Sequence, residues 1–109
     1  MNLFNVNRFA KLTMVSLLAL PAAVQAETAY VSNEKSDTLT IIDTDSMEVT
    51  NTVDVGMRPR GIIFSQDYKY LYICASESDA VQVMDVATNR ILHNLPSGED
   101  PEQFALHPN

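Results

Sequence analysis

Charged side chains flank two prolines of this sequence, Pro59 and Pro101. Those beside the first proline are basic and those beside the second are acidic: Arg58, Arg60, Glu99, Asp100 and Glu102. Where two such segments occupy matching positions in neighbouring structural units, their opposite charges form surface ion pairs worth about 0–1 kcal/mol each. On exposed connecting segments the same residues can instead bind a ligand or a partner protein. We leave both interpretations open and call these five residues the candidate rim.

Four aspartates recur in pairs with one constant spacing, Asp37 with Asp79 and Asp43 with Asp85. An aspartate closes a turn because its carboxylate accepts hydrogen bonds from nearby backbone N–H groups. A turn recurs in every unit of a repeat, whereas an active site usually occurs once. The spacing therefore predicts structural turns rather than catalytic carboxylates.

The sequence has no pattern typical of catalysis or of a bound cofactor. His93 and His107 lack a metal-ligand spacing, and there is no glycine-rich phosphate loop or nucleophile elbow. A single cysteine, Cys74, excludes a paired-cysteine motif and an internal disulfide. It lies in the apolar run 71–75, where we expect a packed core thiol. We therefore expect no catalytic residue, cofactor or metal site in this chain.

The elements that must position these residues follow from an internal repeat. The members of each aspartate pair are 42 residues apart, and a shift of the sequence by this spacing aligns apolar positions throughout. The same shift superposes identical residues, mostly turn formers: Tyr30 with Tyr72, Ser36 with Ser78, Gly56 with Gly98 and Pro59 with Pro101. We call this spacing the repeat period. A period of about 40–45 residues with several strands per unit is typical of a β-propeller blade. The recurring Tyr30 and Tyr72 then belong to blade packing.

Runs of alternating or continuous apolar residues predict an all-β fold built from blades of four antiparallel strands. We predict a partial blade over 27–60, a complete blade over 61–101 and the first strand of a third blade over 102–109. This gives eight strands in groups of three, four and one. Val81, Val83 and Asp85 are expected to alternate with Gln82 and Met84 in the third strand of the complete blade. Turns are expected near 34–38, 44–48, 66–69, 76–80 and 87–90.

The segment 1–26 has the pattern of a secretory signal peptide. Arg8 and Lys11 precede an apolar run over 12–20, and small residues lead to Ala26, after which we expect cleavage. The alternative is a retained membrane anchor, but the apolar stretch is shorter than the roughly 17–25 residues that a spanning helix needs. The predicted location is the periplasm, and after cleavage we expect no membrane span.

The mature chain is strongly acidic. Cleavage removes two of the seven basic residues and none of the fourteen acidic ones, which leaves a formal charge of about −9. Such a charge repels phosphate backbones and anionic lipid, so we expect no nucleic-acid partner. It also keeps an exported protein soluble.

Three segments resemble the YVTN-type (WD40-like) β-propeller repeat. They are 29–33 (AYVSN), 40–44 (TIIDT), and Val55-Gly56 with Pro59 three residues on. The resemblance covers essentially all of the mature chain. One departure is Gln66-Asp67-Tyr68, where the repeat usually reads Pro-Asp-Gly, and this implies a different hairpin tip.

A narrower resemblance rests on 58–61 (RPRG), 72–76 (YICAS) and 98–108 (GEDPEQFALHP). These segments look like the exported propeller proteins associated with pyrroloquinoline-quinone (PQQ)-dependent alcohol catabolism in bacteria. That resemblance implies an exported ring of seven blades, partners among the periplasmic proteins of a quinone-dependent dehydrogenase system and no established catalytic residues. A closed ring needs at least about four blades, so we also expect this chain to be a fragment of a longer protein.

The leading functional hypothesis is a non-catalytic periplasmic binding or scaffold propeller. The alternative is a propeller enzyme of the lactonase or hydrolase type, with its site in further blades. A third hypothesis is an electron-transfer partner, although the sequence has no Cys-x-x-Cys-His motif for covalent haem. Fold alone does not choose between them, because propellers host both binders and enzymes.

Export has a direct test. We expect the mature protein to begin at Glu27 and to fractionate with the periplasm. N-terminal sequencing of the fractionated protein checks both statements, and an intact Met1 in the membrane fraction would show a retained anchor.

Overall fold

The computed structural model describes residues 27–108, which form two antiparallel β-sheets. Their strands are β1 Thr28–Asn33, β2 Thr38–Asp43, β3 Glu48–Asp54, β4 Pro59–Phe64, β5 Tyr70–Ala75, β6 Ala80–Asp85 and β7 Arg90–Pro96. The only helical element in this range is a 3-10 turn at Ser76–Ser78. This confirms the all-β prediction. The predicted signal segment 1–26 lies outside the described residues.

Each sheet is a meander in which consecutive strands are neighbours. The first has the order β1-β2-β3 and the second β4-β5-β6-β7. A β-bulge interrupts the pairing between Ile41 and Ile42 in the first sheet and between Val83 and Met84 in the second. These two bulges are one repeat period apart, so the repeat extends to local irregularities of the backbone. Bulges increase local twist, which suits the curved sheets of stacked blades.

The core lies between the two sheets. Leu39 of the first sheet packs with Leu71, Ile73 and Met84 of the second, and all four are at most 1% exposed. Fully burying one such side chain stabilises the fold by about 1.5–3 kcal/mol. Strand β5 is buried on both of its faces, as its continuous apolar run predicts. Cys74 of this strand is fully buried, which confirms the packed thiol.

The side chains of β6 alternate between the two faces as predicted, but this alternation does not separate buried from exposed residues. Val83 is buried as expected, but Met84 on the opposite face is buried too, and Val81 is only partly covered. The cause is the contact between the two sheets, since Met84 faces the first sheet and Val83 faces the other way. A simple inside-outside alternation applies only to a sheet with one solvated face.

The predicted eighth strand is also absent from the described residues. Residues 102–107 have no strand pairing, although the N–H of Gly61 donates to the carbonyl of Glu102 at 2.8 Å. An extended segment becomes a strand only when a neighbour pairs with its backbone. In the complete blade, β5 pairs with β4, whereas the described residues contain no such neighbour for 102–107.

Left-handed backbone recurs with the period of the repeat. Six of the non-glycine residues with positive φ form three pairs that are each one period apart: Asp37 with Asp79, Met47 with Asn89, and Arg58 with Asp100. Asn and Asp tolerate this conformation because their short polar side chains bond locally, whereas other residues are disfavoured by roughly 1–2 kcal/mol. Met47, at φ 59° and 75% exposed, is therefore a strained turn position.

The strain at Met47 has a measurable consequence. Met47→Asn should stabilise the chain by about 0.5–1 kcal/mol and raise its melting temperature by a few degrees, because asparagine adopts left-handed backbone more readily. The matched control is Met47→Ala, which removes the same side chain without that advantage and should leave the melting temperature nearly unchanged. Thermal melts of the three proteins decide this, and equal or lower stability of Met47→Asn would contradict the argument.

Candidate functional site

All five residues of the candidate rim lie at one end of the two blades. This end carries the β1–β2 and β5–β6 turns and the two segments that lead from the last strand of one blade into the next blade, over 55–60 and 97–102. We call these two segments the crossings. The opposite end carries the remaining three hairpin turns. The shared placement follows from the repeat, because equivalent crossings leave equivalent strands.

An aspartate on each blade holds the crossing that follows it. Oδ1 of Asp37 accepts the N–H of Arg58 at 2.8 Å, and Oδ1 of Asp79 accepts the N–H of Asp100 at 2.9 Å. The carbonyl of Asp37 also accepts the N–H of Val55 at 3.0 Å. These two aspartates are therefore turn-to-crossing anchors, which agrees with the structural interpretation of their spacing.

Asp43 and Asp85 close turns at the opposite end. Oδ1 of Asp43 accepts the N–H groups of Asp45 and Ser46 at 2.8 and 3.2 Å. Asp85 accepts the N–H of Ala87 at 3.1 Å through the equivalent oxygen. Both carboxylates therefore act as turn acceptors, as their spacing predicts.

Arg58 joins the turns of both blades. Its Nε donates to Oε2 of Glu34 at 2.6 Å, and its Nη1 lies 3.6 Å from Oε2 of Glu77 in the second blade. The hydrogen bond from Arg58 lowers the pKa of the Glu34 carboxyl, and the same bond raises the pKa of the guanidinium. The Arg58 side chain remains 43% exposed, so both ion pairs are wet and each contributes little to stability.

Arg60 joins the two crossings. Its Nη1 lies 3.0 Å from Oε2 of Glu102, and the two side chains are 30% and 47% exposed. The backbones are close as well, since a Cβ atom added to Gly61 would collide with the backbone of Glu102. Glycine is required here for the approach of the two segments.

Hydroxyl and amide side chains fix the first crossing from both blades. Ser32 donates to the carbonyl of Arg60 at 2.7 Å, and the buried Ser76 donates to the carbonyl of Arg58 at 2.9 Å. Oε1 of Gln82 accepts the N–H of Gly56 at 2.6 Å, and Oγ of Ser78 accepts that of Met57 at 3.0 Å.

Sequence reasoning missed most of these contacts. Ser76 and Gln82 stand where the first blade has Glu34 and Thr40, so the repeat gives no sign of their role. The one sequence signal for these contacts is Ser78, because it aligns with an identical residue, Ser36.

The structure brings together only part of the candidate rim. Arg60 meets Glu102 as the opposite charges predict, but the carboxylates on Arg58 are Glu34 and Glu77 rather than the acids of the second crossing. Within the described range, no ion pair includes Glu99 or Asp100, and both are exposed. The rim thus has a paired basic half, Arg58 and Arg60, with Glu102 bound to Arg60, and an open acidic half, Glu99 and Asp100.

A polar cleft of about 540 Å³ opens on the basic half. Its walls are formed by residues of the first blade, the crossing and the second blade: Glu34, Lys35, Asp37, Arg58 and Glu77. With both signs of charge and a wide mouth, the cleft suits polar contact with a partner surface better than enclosure of a small apolar molecule.

Other candidate chemistry lies away from the rim. Among residues 27–108, no group of three or more His, Cys, Asp and Glu side chains could hold a metal ion. His93 is exposed on β7, and burial raises the pKa of the Cys74 thiol, which disfavours the reactive thiolate. The part of the chain with assigned structure has no helix long and apolar enough to cross a membrane.

Comparison with known proteins supports the blade architecture. No family model matches the chain. A seven-bladed beta-propeller protein of Mycobacterium tuberculosis is 32% identical over 81 residues, which is 72% of this chain and 21% of that protein. Hydrazine synthase of Kuenenia stuttgartiensis is similar in structure, with a TM-score of 0.67 and 29% identity over 70% of this chain and 22% of that one.

The chain therefore spans about a fifth of the length of the proteins that it matches. Its two sheets, the periodic recurrence of their bulges and turns, and these similarities agree with one another. The chain is homologous to a seven-bladed β-propeller protein, and its described residues form part of a propeller.

Proposed function

We propose that this chain belongs to an exported, non-catalytic binding or scaffold propeller whose candidate rim engages a partner protein. The observation that carries the proposal is the placement of all five rim residues at one end of the blades, with charges that remain accessible. Connecting loops on a rigid scaffold are where proteins commonly bind. The blades supply the scaffold and the crossings supply the contact groups.

The basic half of the rim is preorganised. The side chains of Asp37, Ser32 and Ser76 hydrogen-bond to the backbone of the first crossing, so Arg58 and Arg60 project from a fixed segment. Each guanidinium has five N–H donors, and the ion pairs with Glu34 and Glu102 leave others available. A contact that needs little further ordering loses less entropy on binding.

The acidic half adds charge without internal pairing. Glu99 and Asp100 are exposed at the end of the blades that also carries Arg58 and Arg60, so the rim presents both signs of charge along this end. Such a pattern steers association with a surface of complementary pattern and disfavours wrong partners. The net negative charge of the mature chain supports a protein partner rather than a nucleic acid.

For the pathway, we propose PQQ-dependent alcohol oxidation in the periplasm. The support is the resemblance carried by 58–61, 72–76 and 98–108, together with the signal pattern of 1–26. Two of those segments contain the candidate rim. The proposed partners are periplasmic proteins of the quinone-dependent dehydrogenase system.

The experiment removes the basic half of the rim. Arg58→Ala with Arg60→Ala, made in the full-length protein, should shift the free energy of unfolding by only about 0.5 kcal/mol, because the lost ion pairs are exposed. Capture of periplasmic partners and growth on alcohols should both decline, and partner association should lose part of its salt dependence.

Lys69→Ala with Arg90→Ala is the matched control, because it removes the same charge from the opposite end of the blades. It should leave binding and growth unchanged. A second control, Asp43→Ala with Asp85→Ala, should lower stability because it removes the turn acceptors. Equal loss of binding in the rim variant and the opposite-end variant would contradict the proposal. Lactone hydrolysis that the rim variant abolishes would instead identify an enzyme.

A further inference from the structure

The backbone at Arg58 is left-handed, with a φ of 57°. The second crossing has Asp100 at the equivalent position, with a φ of 51°. Both residues donate their N–H to the aspartate of the preceding turn. Aspartate tolerates left-handed backbone, whereas a long side chain such as that of arginine is disfavoured in it. The backbone of the crossing therefore forms without an arginine at this position.

The ion pairs of Arg58 do not account for its presence either. Both pairs are exposed to water, and exposed pairs contribute little to stability. A residue that is kept in a disfavoured conformation without a matching gain in stability is a reason to look for a function. Arg58 is such a residue, and it lies on the candidate rim.

The guanidinium of Arg58 is firmly bound on one side and loosely bound on the other. Its Nε donates to Oε2 of Glu34 at 2.6 Å, which restrains the orientation of the group. Its Nη1 lies 3.6 Å from Oε2 of Glu77, which is too long for a hydrogen bond. The two Nη atoms carry most of the five N–H donors of the group. We call this side the Nη end of Arg58.

A second cation lines the same polar cleft of about 540 Å³. Lys35 borders this cleft together with Arg58 and Glu77. Lys35 is exposed, and no ion pair within residues 27–108 includes its ammonium group. All residues that line the cleft belong to the first crossing and to the two blades beside it. The contact between these two blades therefore forms the cleft.

A carboxylate is the group that this arrangement suits best. The planar Nη end of a guanidinium matches the two oxygens of a carboxylate, and Lys35 adds a positive charge in the same cleft. A phosphate group suits the cleft less well, because it carries a charge of about −1.5 to −2. The carboxylates of Glu34 and Asp37 already line the cleft and would repel that larger charge.

We propose that Arg58 selects the partner by binding one of its acidic side chains at the Nη end, a position that Glu77 occupies when no partner is bound. This inference rests on the proposed function of the rim. Glu77 gives way because its side chain is 58% exposed and its contact with Nη1 is long. Glu34 stays in place and keeps the guanidinium oriented. Arg58 is thus a specificity-determining residue, and Glu77 is a weak internal competitor.

The first test uses a phage library of random peptides as the probe, because it reports the chemistry that the rim selects. The library is selected on the immobilised full-length protein and, in parallel, on its Arg58→Asn variant. Peptides retained by the wild type should be enriched in Asp and Glu relative to the unselected library, and Arg58→Asn should lose this enrichment. Wild-type peptides without acidic enrichment, or equal enrichment on the variant, would overturn the proposal.

The second test concerns Glu77 and predicts a gain. An acidic peptide from this selection should bind Glu77→Gln about two- to fivefold more tightly than the wild type, because an exposed competing ion pair is removed. Glu48→Gln is the matched control, since it removes the same charge from an exposed residue at the opposite end of the blades. It should leave the affinity unchanged in titration calorimetry. Equal effects of the two variants, or no gain in Glu77→Gln, would show that Glu77 does not compete and would overturn the proposal.

Thermal melts separate a loss of binding from a loss of fold. Arg58→Asn should melt at or above the temperature of the wild type, because asparagine adopts left-handed backbone more readily than arginine. Arg58→Ala lacks this advantage, so it should melt below Arg58→Asn although it loses peptide binding equally. A lower melting temperature for Arg58→Asn than for Arg58→Ala would contradict the backbone argument and the proposal with it.

Failure of this inference is distinguishable from failure of the proposed function. If the rim binds no partner, Arg58→Ala with Arg60→Ala leaves partner capture and growth on alcohols unchanged. If the rim binds its partner through other groups, that double variant loses both, whereas Arg58→Asn alone keeps them. Loss of capture by Arg58→Asn alone, with its fold intact, is the result expected here.

Discussion

The packing of one sheet on the next around Leu39 is the contact on which the described structure depends. Leu39 reaches the back face of the second sheet, where Leu71, Ile73 and Met84 exclude water from it. A single three- or four-stranded sheet cannot bury both of its faces, so each blade needs a neighbour. This requirement explains why β5 is apolar on both faces. It also explains why the outer faces of the pair are still apolar.

The same packing places the polar network of the rim. Stacking brings the β1–β2 turn, the first crossing and the β5–β6 turn within hydrogen-bond distance of one another. Asp37 and Ser76 then hold the backbone of Arg58, and the guanidinium reaches carboxylates on both blades. The exposed ion pairs contribute little to stability. The network instead fixes the position of the arginines, which project from a fixed segment and are available to a partner.

The predicted signal segment bears on the strand pairing at β1. The first blade has three strands in the described range, and the position of its missing innermost strand corresponds to residues of the predicted signal segment. A strand edge left in this way must be paired or protected, since open edges promote association with other chains. The register of β4 with β5 shows the pairing that the repeat permits at this edge.

The sequence alone determined the period, the blade class, the three- and four-strand grouping and the turn aspartates. These features depend on local chemistry, namely apolar runs, turn residues and their recurrence at a constant period. Tertiary structure decided that Met84 is buried, that 102–107 pairs with no strand and that Arg58 binds Glu34 and Glu77. Each of these depends on which surface lies opposite, and the roles of Ser76 and Gln82 likewise exist only where two blades meet. A periodic pattern specifies what each blade presents, whereas the contact between blades specifies which of those groups are used.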